Sequence, residues 1–358
     1  MSSDRGTDAG RVAPQAEGFR EAASRFFCGE HRLLEAREAH LGYSDSAFAR
    51  VEAVNGAWLL RRWPPGFGEE RLRFVHRALT ESRSRGFDGV PALARTRTGE
   101  TVVRLAGRLY DAQTLLGGEP LVAQSPGRGS VPNVACGAPP EHLAALAEAL
   151  ARFHLSTSGL PPEPGYHAPS LAERLRDLQG EARGRREALG RAVRTWGAGE
   201  ERETARRWLA LLPGALDAAR KAVERLPPGG TGEVLCHADL WPAHVRFEGG
   251  SFADFESLAF ASPALDLAQL VGHFGGWEDA GAVLRSYWAV APLAEGDEAS
   301  VAPEAVADLA AEGLWALGEL YGGPPGTGPV QEAAHRLNLG LLLDPLRAAA
   351  DSCTGSAR

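Results

Sequence analysis

The sequence predicts an α+β fold in two parts, a small strand-rich N-terminal part and a larger, mainly helical C-terminal part. Strand-like alternation and one amphipathic helix occupy roughly the first 115 residues. Helical periodicity dominates the remainder, interrupted by a short strand–loop–strand island at 234–255. We therefore expect a disordered leader over 1–17, one lobe over 18–115 and a second lobe over 116–352.

The first predicted element is a β-hairpin. Residues 48–54 (FARVEAV) and 57–63 (AWLLRRW) have strand-like composition, and Asn55-Gly56 between them is a strong signal for a tight turn. The second strand ends at Pro64-Pro65-Gly66, because proline cannot donate a hydrogen bond to a neighbouring strand.

A helix is predicted next, over 69–85. Leu72, Val75 and Leu79 fall on one face at helical spacing, and Gly86 suits the C-terminal cap. Three further strands are predicted at 92–96, 101–106 and 108–116.

The C-terminal part begins with a loop rich in glycine and proline, over 117–140. Amphipathic spacing then predicts helices at 141–157, 171–196 and 203–226, with Pro213 breaking or kinking the last of them. After the island, helices resume at 264 and continue to about 350.

The composition is that of a soluble globular protein, with 44% hydrophobic and 23% charged residues in a chain of 358. A net charge of −8 argues against binding to nucleic acid or to an anionic membrane. No apolar run of 18 residues and no signal peptide are visible, and the four cysteines form no C-x-x-C pair. We therefore expect a cytoplasmic protein with reduced thiols.

Lysine is almost absent, since Lys221 is the only one among 38 basic residues. The P-loop signature G-x-x-x-x-G-K-[ST] does not occur, and Schiff-base chemistry would have to use this single residue. Both classes of mechanism are therefore nearly excluded.

The island and the residues that follow it, 234–268, carry the functional signal: VLCHADLWPAHVRFEGGSFADFESLAFASPALDLA. An apolar strand leads into His237-Ala238-Asp239, a second strand at 244–247 turns at Gly249-Gly250, and a third delivers Asp254-Phe255-Glu256. Asp266-Leu267-Ala268 then opens a helix.

This pattern resembles the aminoglycoside phosphotransferase and choline kinase-like superfamily, and most closely its homoserine-kinase-like phosphotransferases. The family combines H-x-D, an Asn five residues after that Asp, a strand ending in D-F-G or D-F-E, and a helix starting with D-L-A. The runs LLRRWP, RLRFVHRAL and Ala149–His154 extend the resemblance over about 30–345. It implies a protein kinase-like bilobal fold and transfer of the γ-phosphate of ATP or GTP to a hydroxyl of a small acceptor, such as an aminoglycoside, an amino alcohol or homoserine.

The resemblance also implies site residues. Asp239 would be the catalytic base, His237 would hold its loop, and Mg²⁺ or Mn²⁺ would bind to Asp254, with His244 and Glu256 beside it. The N-terminal lobe would bind the nucleotide through the following residues: Gly42, Ser44, Ser46, Arg61, Leu109 and Asp111.

Three positions depart from the family pattern. Arg61 stands where the family has a nucleotide-positioning lysine, and strand alternation points Arg62 the other way. His76 occupies the place of the lysine's acidic partner on the next helix, where Glu69 or Glu70 could substitute. His244 replaces the Asn after the catalytic loop, and imidazole suits Mn²⁺ better than Mg²⁺.

Other polar residues have structural interpretations. Asp266 is expected to cap its helix or fix the catalytic loop, and His154 to pack in the core. Cys236 is expected in a buried strand, and Arg183–Arg194 on a solvated helix face. Trp241 could line the acceptor pocket or pack in the interior.

Two alternative functions remain open on the sequence. The departures at Arg61, His76 and His244 suit a nucleotide- or ligand-binding pseudokinase with little turnover. His237, Asp239 and His244 could instead hold a transition metal directly in a hydrolase, with the DFE and DLA motifs then a coincidence.

Overall fold

The computed structural model describes residues 12–38, 46–118, 120, 123–125, 129–131, 134–135, 137–196, 199–226, 232–275, 277–322 and 329–355. The chain forms two compact units, Met1–Leu116 and Gly117–Arg358. The first is built on a sheet and the second is mainly helical, so the expected α+β fold class is confirmed.

The first unit contains an antiparallel sheet of five strands in the order β1-β2-β3-β5-β4. Two helices accompany it, and the element bounds are α1 (Val12–Phe26), β1 (His31–Glu38), β2 (Ala47–Ala53), β3 (Gly56–Arg62), α2 (Glu69–Ser84), β4 (Val103–Leu105) and β5 (Arg108–Thr114).

The predicted hairpin is present as β2 and β3. Ala53 pairs with Gly56 at its tip, and Gly56 has a φ of +124°, a conformation that glycine adopts without strain. The Trp58 indole N–H donates to the Asn55 side chain at 3.1 Å, so the turn residue also fixes a strand residue.

Helix α1 begins inside the stretch expected to be a disordered leader, so that expectation fails for residues 12–17. Phe19, Ala22, Ala23 and Phe26 are buried at the spacing of one helical face. They join the apolar cluster under the sheet, and this burial stabilises a helix whose alanines give a weak sequence signal.

The strand predicted at 92–96 is wrong. Leu93 forms only an isolated bridge with Gln113 of β5. β4 pairs with the first half of the same edge of β5. Only the second half remains for residues 92–94, which form two backbone hydrogen bonds there, with Ala112 and Thr114. The strand at 101–106 shortens to β4, whereas the predictions for α2 and β5 are confirmed.

The second unit contains eight α-helices and six short strands among the residues that are described. Their bounds are β6 (Ala123–Ser125), β7 (Gly129–Val131), α3 (Pro140–Thr157), α4 (Leu171–Trp196), α5 (Gly199–Val223), β8 (Val234–Cys236), β9 (Val245–Arg246), β10 (Ser251–Phe252), β11 (Ala259–Ala261), α6 (Ala264–His273), α7 (Ala280–Trp288), α8 (Glu295–Tyr321), α9 (Pro329–Leu341) and α10 (Leu343–Cys353).

Two details of this unit differ from expectation. The loop predicted at 117–140 contains a small hairpin, β6 and β7. Pro213 lies inside α5 without ending it. Trp208, Leu212 and Leu216 are buried on both sides of the proline, and this packing stabilises the helix.

Helix α8 approaches its neighbours closely through glycines. A Cβ at Gly313 would overlap the Trp208 ring, which is fully buried in α5. None of the helices in the described ranges has both the length and the apolar character required to cross a bilayer.

Candidate active site

The catalytic loop is the segment His237–Leu240, which follows strand β8. β8 pairs with β11, with Cys236 opposite Ala259, so the strand pair fixes the start of the loop. Cys236 is fully buried, and burial raises the pKa of its thiol well above the usual range. It is therefore an inert strand residue, as expected.

Helix α6 holds the backbone of the loop from one side. The Asp266 carboxylate accepts hydrogen bonds from the backbone N–H of His237 at 2.7 Å and of Ala238 at 2.8 Å. One turn later, the Gln269 side chain accepts from the N–H of Leu240 at 2.9 Å. Ala238 has a φ of +62°, a strained conformation for alanine that these bonds hold in place.

The same helix contributes a third contact through His273. Its Nδ1 donates to the Leu240 carbonyl at 2.7 Å, while its Nε2 lies 2.8 Å from the Asp308 carboxylate on α8. Burial lowers the pKa of His273, but Asp308 and the carbonyl outweigh it and leave the pKa raised. Asp266 was expected in this role, whereas Gln269, His273 and Asp308 were not, because their contacts depend on how α6 packs against the loop and against α8.

The Trp241 side chain packs in the interior and does not line an open pocket. Its ring stacks on His273 with the ring centroids 3.8 Å apart, and it is 5% exposed. His154 is likewise a core residue, between the Tyr287 hydroxyl at 2.7 Å and Asp266 at 3.0 Å.

His244 lies between the two carboxylates that the sequence singled out. Its Nδ1 donates to the Asp239 backbone carbonyl at 2.8 Å and lies 3.7 Å from the Asp239 carboxylate. Its Nε2 lies 3.7 Å from the Asp254 carboxylate. One imidazole therefore lies between the catalytic loop and Asp254, two residues after β10.

A second set of bonds fixes Asp254 relative to the loop. The His237 Nε2 donates to the carbonyl of Ala253 at 2.8 Å, and the N–H of Ala253 donates to the carbonyl of His244 at 2.8 Å. Asp254 itself has a φ of +62°. Such strain in an aspartate is typical of functional positions. Glu256 is half-buried in the one-turn 3₁₀ helix Phe255–Ser257 that follows.

The electrostatics favour Asp239 as a proton acceptor. Burial raises the pKa of its carboxyl, against the lowering effect of His244 and His237. Burial lowers the pKa of His237, which keeps this imidazole neutral and suits its structural role. The Asp239 side chain is still 37% exposed, so solvent can reach it.

The donors at Asp254 fit a divalent cation. Because Nδ1 of His244 is committed to a carbonyl, its Nε2 carries the free lone pair on the side that faces the Asp254 carboxylate. A carboxylate oxygen with an imidazole nitrogen suits Mn²⁺ at least as well as Mg²⁺.

The hydrolase alternative does not fit the geometry. His237 and His244 each donate one ring nitrogen to a carbonyl. Within the described ranges, three ligand atoms close enough to share one ion occur only at His154, Cys236 and Asp266, and these residues are buried and hydrogen-bonded. The histidine–aspartate–histidine trio therefore does not form a metal site of its own.

A helix face of α8 supplies further acidic groups at four-residue spacing. Glu304 pairs with Arg174, Asp308 with His273, and Glu312 follows one turn later. Burial, together with the negative charges of Asp308 and Asp239, raises the pKa of Glu312 to about 8. The carboxyl of Glu312 is therefore mostly protonated at neutral pH.

In the first unit, Arg61 is buried and 6% exposed. Its guanidinium stacks on the Trp63 ring at 3.7 Å and donates to the Ser46 hydroxyl at 2.9 and 3.2 Å. Arg62 instead lies over Phe19, as strand alternation predicts. Gly42 and Ser44 lie outside the described residues.

Leu109 and Asp111, both predicted to bind the nucleotide, lie in the predicted strand, β5. Their side chains are 3% and 0% exposed and pack in the interior of the first unit. The strand continues to Thr114, and its inward side chains are committed to the core.

Asp111 has another role, because it lies directly opposite Arg61 in the β3–β5 ladder. It accepts hydrogen bonds from Trp63 at 3.0 Å, His76 at 3.0 Å and Gln113 at 2.8 Å. Burial raises the pKa of Asp111, but the bonds from His76 and Gln113 and the charge of Arg61 outweigh it and lower the pKa.

Asp111 of β5, and not an acid of α2, thus lies opposite Arg61, and His76 of α2 donates a hydrogen bond to it. Glu69, one proposed substitute, instead pairs with Arg73 and Arg104 at the surface. Predicting that Asp111 lies opposite Arg61 would require the register between β3 and β5, which are separated in the sequence by α2 and β4.

The chain matches one family of known proteins. Residues 35–314 match the model of the phosphotransferase enzyme family. No curated protein sequence matches the chain significantly.

Solved structures share the fold at low sequence identity. An aminoglycoside phosphotransferase from Alicyclobacillus acidocaldarius is 16% identical with a TM-score of 0.59, covering 92% of this chain and 95% of that one. A microcompartment-associated aminopropanol kinase is 17% identical with a TM-score of 0.60, covering 96% and 99%. An amicoumacin kinase in complex with AMP-PNP and Ca²⁺ is 12% identical with a TM-score of 0.59, covering 92% and 93%.

These likenesses confirm the kinase-like fold, and the family match covers well over half of the chain. The expected enzyme class, a phosphotransferase, is confirmed with it. The chain therefore belongs to the phosphotransferase enzyme family.

Proposed function

We propose that this protein is a small-molecule kinase that transfers the γ-phosphate of ATP or GTP to a hydroxyl of an aminoglycoside-, amino-alcohol- or homoserine-like acceptor. The observation that carries the proposal is the placement of Asp239 and Asp254 on either side of His244, each carboxylate 3.7 Å from a ring nitrogen. Phosphoryl transfer requires a positioned base and a cation site more than covalent chemistry, and this arrangement supplies both.

Asp239 accepts the proton of the acceptor hydroxyl as the oxygen attacks phosphorus. A carboxylate whose pKa is raised by burial is a better proton acceptor than an exposed one. The loop backbone is held by Asp266, Gln269 and His273, so the carboxylate keeps its orientation between turnovers.

Asp254, with His244 and Glu256 beside it, would hold a divalent cation. When bound, Mg²⁺ or Mn²⁺ neutralises charge on the nucleotide phosphates. His237 ties the catalytic loop to Ala253, the residue before Asp254, so base and cation site keep a fixed separation.

In the first unit, Arg61 and Ser46 would bind the nucleotide phosphates, together with Gly42 and Ser44. A guanidinium can hold a phosphate with two parallel hydrogen bonds. Asp111 neutralises part of its charge from the opposite strand position.

A phosphorylation screen tests the function. The protein is incubated with labelled ATP or GTP, Mg²⁺ or Mn²⁺, and a panel of aminoglycosides, amino alcohols and homoserine. We expect product with at least one acceptor, and loss of a base should lower kcat by about 10²–10⁴-fold in Asp239→Asn. Asp351→Asn, at an exposed position of α10, is the matched control and should retain activity.

The cation site has its own test. His244→Asn restores the residue that the family pattern has here, and we expect it to shift the preferred cation from Mn²⁺ towards Mg²⁺. An unchanged Mn²⁺ to Mg²⁺ activity ratio would remove His244 from the cation site.

A pseudokinase is the second candidate, favoured by the burial of Arg61 against Trp63 and Ser46. Thermal shifts with nucleotide and cation test the nucleotide binding that both candidates share, and turnover in the phosphorylation screen separates the two. If Arg61 is an adapted clamp, Arg61→Lys should weaken nucleotide binding, whereas a drifted site should bind more tightly after this change. No thermal shift with any nucleotide would contradict both candidates.

A further inference from the structure

A crevice in the helical unit carries a charge arrangement that the kinase chemistry does not use. It lies between α4 and α5, has a volume of about 540 Å³, and draws all its lining residues from these two helices. Four of the lining residues are arginines: Arg183, Arg186 and Arg194 of α4 and Arg206 of α5.

These arginines differ from their neighbours on α4. Arg185 and Arg191 each pair with a glutamate one turn earlier, Glu181 and Glu187. The four crevice arginines make no ion pair with any described residue, and Glu187, already paired, is the only acidic lining residue. The crevice thus collects unpaired positive charge in a chain whose net charge is −8.

Such a cluster is unfavourable by itself, because like charges around a concavity repel one another and the walls focus their field. A bound anion removes that repulsion. Guanidinium groups match phosphate oxygens in shape and can donate two parallel hydrogen bonds to them.

Apolar residues form the floor of the crevice. They are Val193 of α4, which is fully buried, and Leu209 and Ala210 of α5. Gly190 contributes no side chain, and an added Cβ would come no closer than 3.5 Å to the nearest atom, a nitrogen of Arg194. The volume lies in the range of small-molecule sites and exceeds the needs of a phosphate ion.

We propose that this crevice binds an organic phosphate, with its phosphate group held by the four arginines and its apolar body on the floor formed by Val193 and Leu209. The site is separate from the catalytic loop and does not depend on the proposed kinase activity.

Binding is tested by isothermal titration calorimetry with 1-naphthyl phosphate and with inorganic phosphate, in EDTA to suppress cation-dependent binding. We expect one site, at least tenfold tighter for naphthyl phosphate, with affinity that falls as salt rises. No heat of binding at low salt would overturn the proposal, as would equal affinity for the two probes.

Three variants locate the site. Arg186→Gln combined with Arg194→Gln should weaken naphthyl phosphate at least tenfold, whereas Arg207→Gln, whose side chain reaches towards Asp344 of α10, should not. Gly190→Leu should fill the floor and remove the advantage of naphthyl phosphate over inorganic phosphate. Binding lost in Arg61→Gln but kept in the double variant would place the ligand at the nucleotide site and refute the proposal.

Folding is checked on the same proteins by urea unfolding without phosphate. Removing repelling charges should leave the double variant at least as stable as the wild type. A clear loss of stability would show that the arginines are structural and would also overturn the proposal.

Discussion

Replacing Glu312 by glutamine should stabilise the protein, and more strongly as the pH rises. The Glu312 carboxyl titrates near 4.5 in an unfolded chain, whereas burial raises its pKa in the fold to about 8. Between these two values the folded state holds one proton more than the unfolded state, so this carboxyl lowers stability as pH rises.

The magnitude follows from the same interval. At about 1.4 kcal/mol per pH unit, the difference between 4.5 and about 8 sets an upper limit of about 5 kcal/mol above pH 8. The side chain is only partly buried, so solvent reduces the penalty. We expect Glu312→Gln to gain about 1–3 kcal/mol at pH 8 and close to nothing below pH 4.5.

Urea unfolding followed by circular dichroism at pH 4.5, 6, 7 and 8 measures this difference. Glu298→Gln removes the same charge from an exposed position of α8 and should show no comparable trend. A Glu312→Gln variant that is less stable than the wild type at pH 8, or whose advantage does not change with pH, would refute the reasoning.

Three other substitutions test the supports of the site. Asp266→Asn leaves at least one buried donor on the catalytic loop without an acceptor, so unfolding should become easier by about 1–3 kcal/mol in urea and kcat should fall. The pKa of His273 is raised by Asp308, so this pair stabilises the fold at low pH and loses that effect as the pH rises above 6.5. Asp308→Asn should remove this stabilisation, and the difference in urea midpoint between mutant and wild type should therefore shrink as the pH rises. Gly313→Ala should destabilise by at least about 1–3 kcal/mol in thermal or urea unfolding, since its Cβ would overlap Trp208, and an unchanged midpoint would show that α5 and α8 can separate freely.

Short-range patterns made part of the fold predictable. The Asn-Gly turn and the alternation around it specify β2 and β3, and helical spacing specifies α2 and α3. Helix α1 was missed because alanines supply half of its buried face. The strand predicted at 92–96 is absent because β4 already occupies part of the edge of β5, and no local pattern in the sequence shows this.

The same distinction applies to the candidate site, where some contacts join residues of one motif and others join distant segments. Asp239, His244 and Asp254 lie within one short motif, so their neighbourhood could be inferred from order alone. The pairing of Arg61 with Asp111 depends on strand register, and the contact of His273 with Asp308 depends on how α6 packs on α8. Such contacts between distant segments follow from tertiary packing, which local propensity does not encode.

The position of Asp111 also has a consequence for regulation. In protein kinases the lysine on a strand pairs with a glutamate on a helix, and displacement of that helix can separate the two charges and switch the kinase off. Here backbone hydrogen bonds of the β3–β5 ladder set the distance between Arg61 and Asp111, and movement of α2 would remove only the hydrogen bond from His76. The relative backbone position of Arg61 and Asp111 is therefore fixed whenever β3 and β5 are paired, whatever the position of α2.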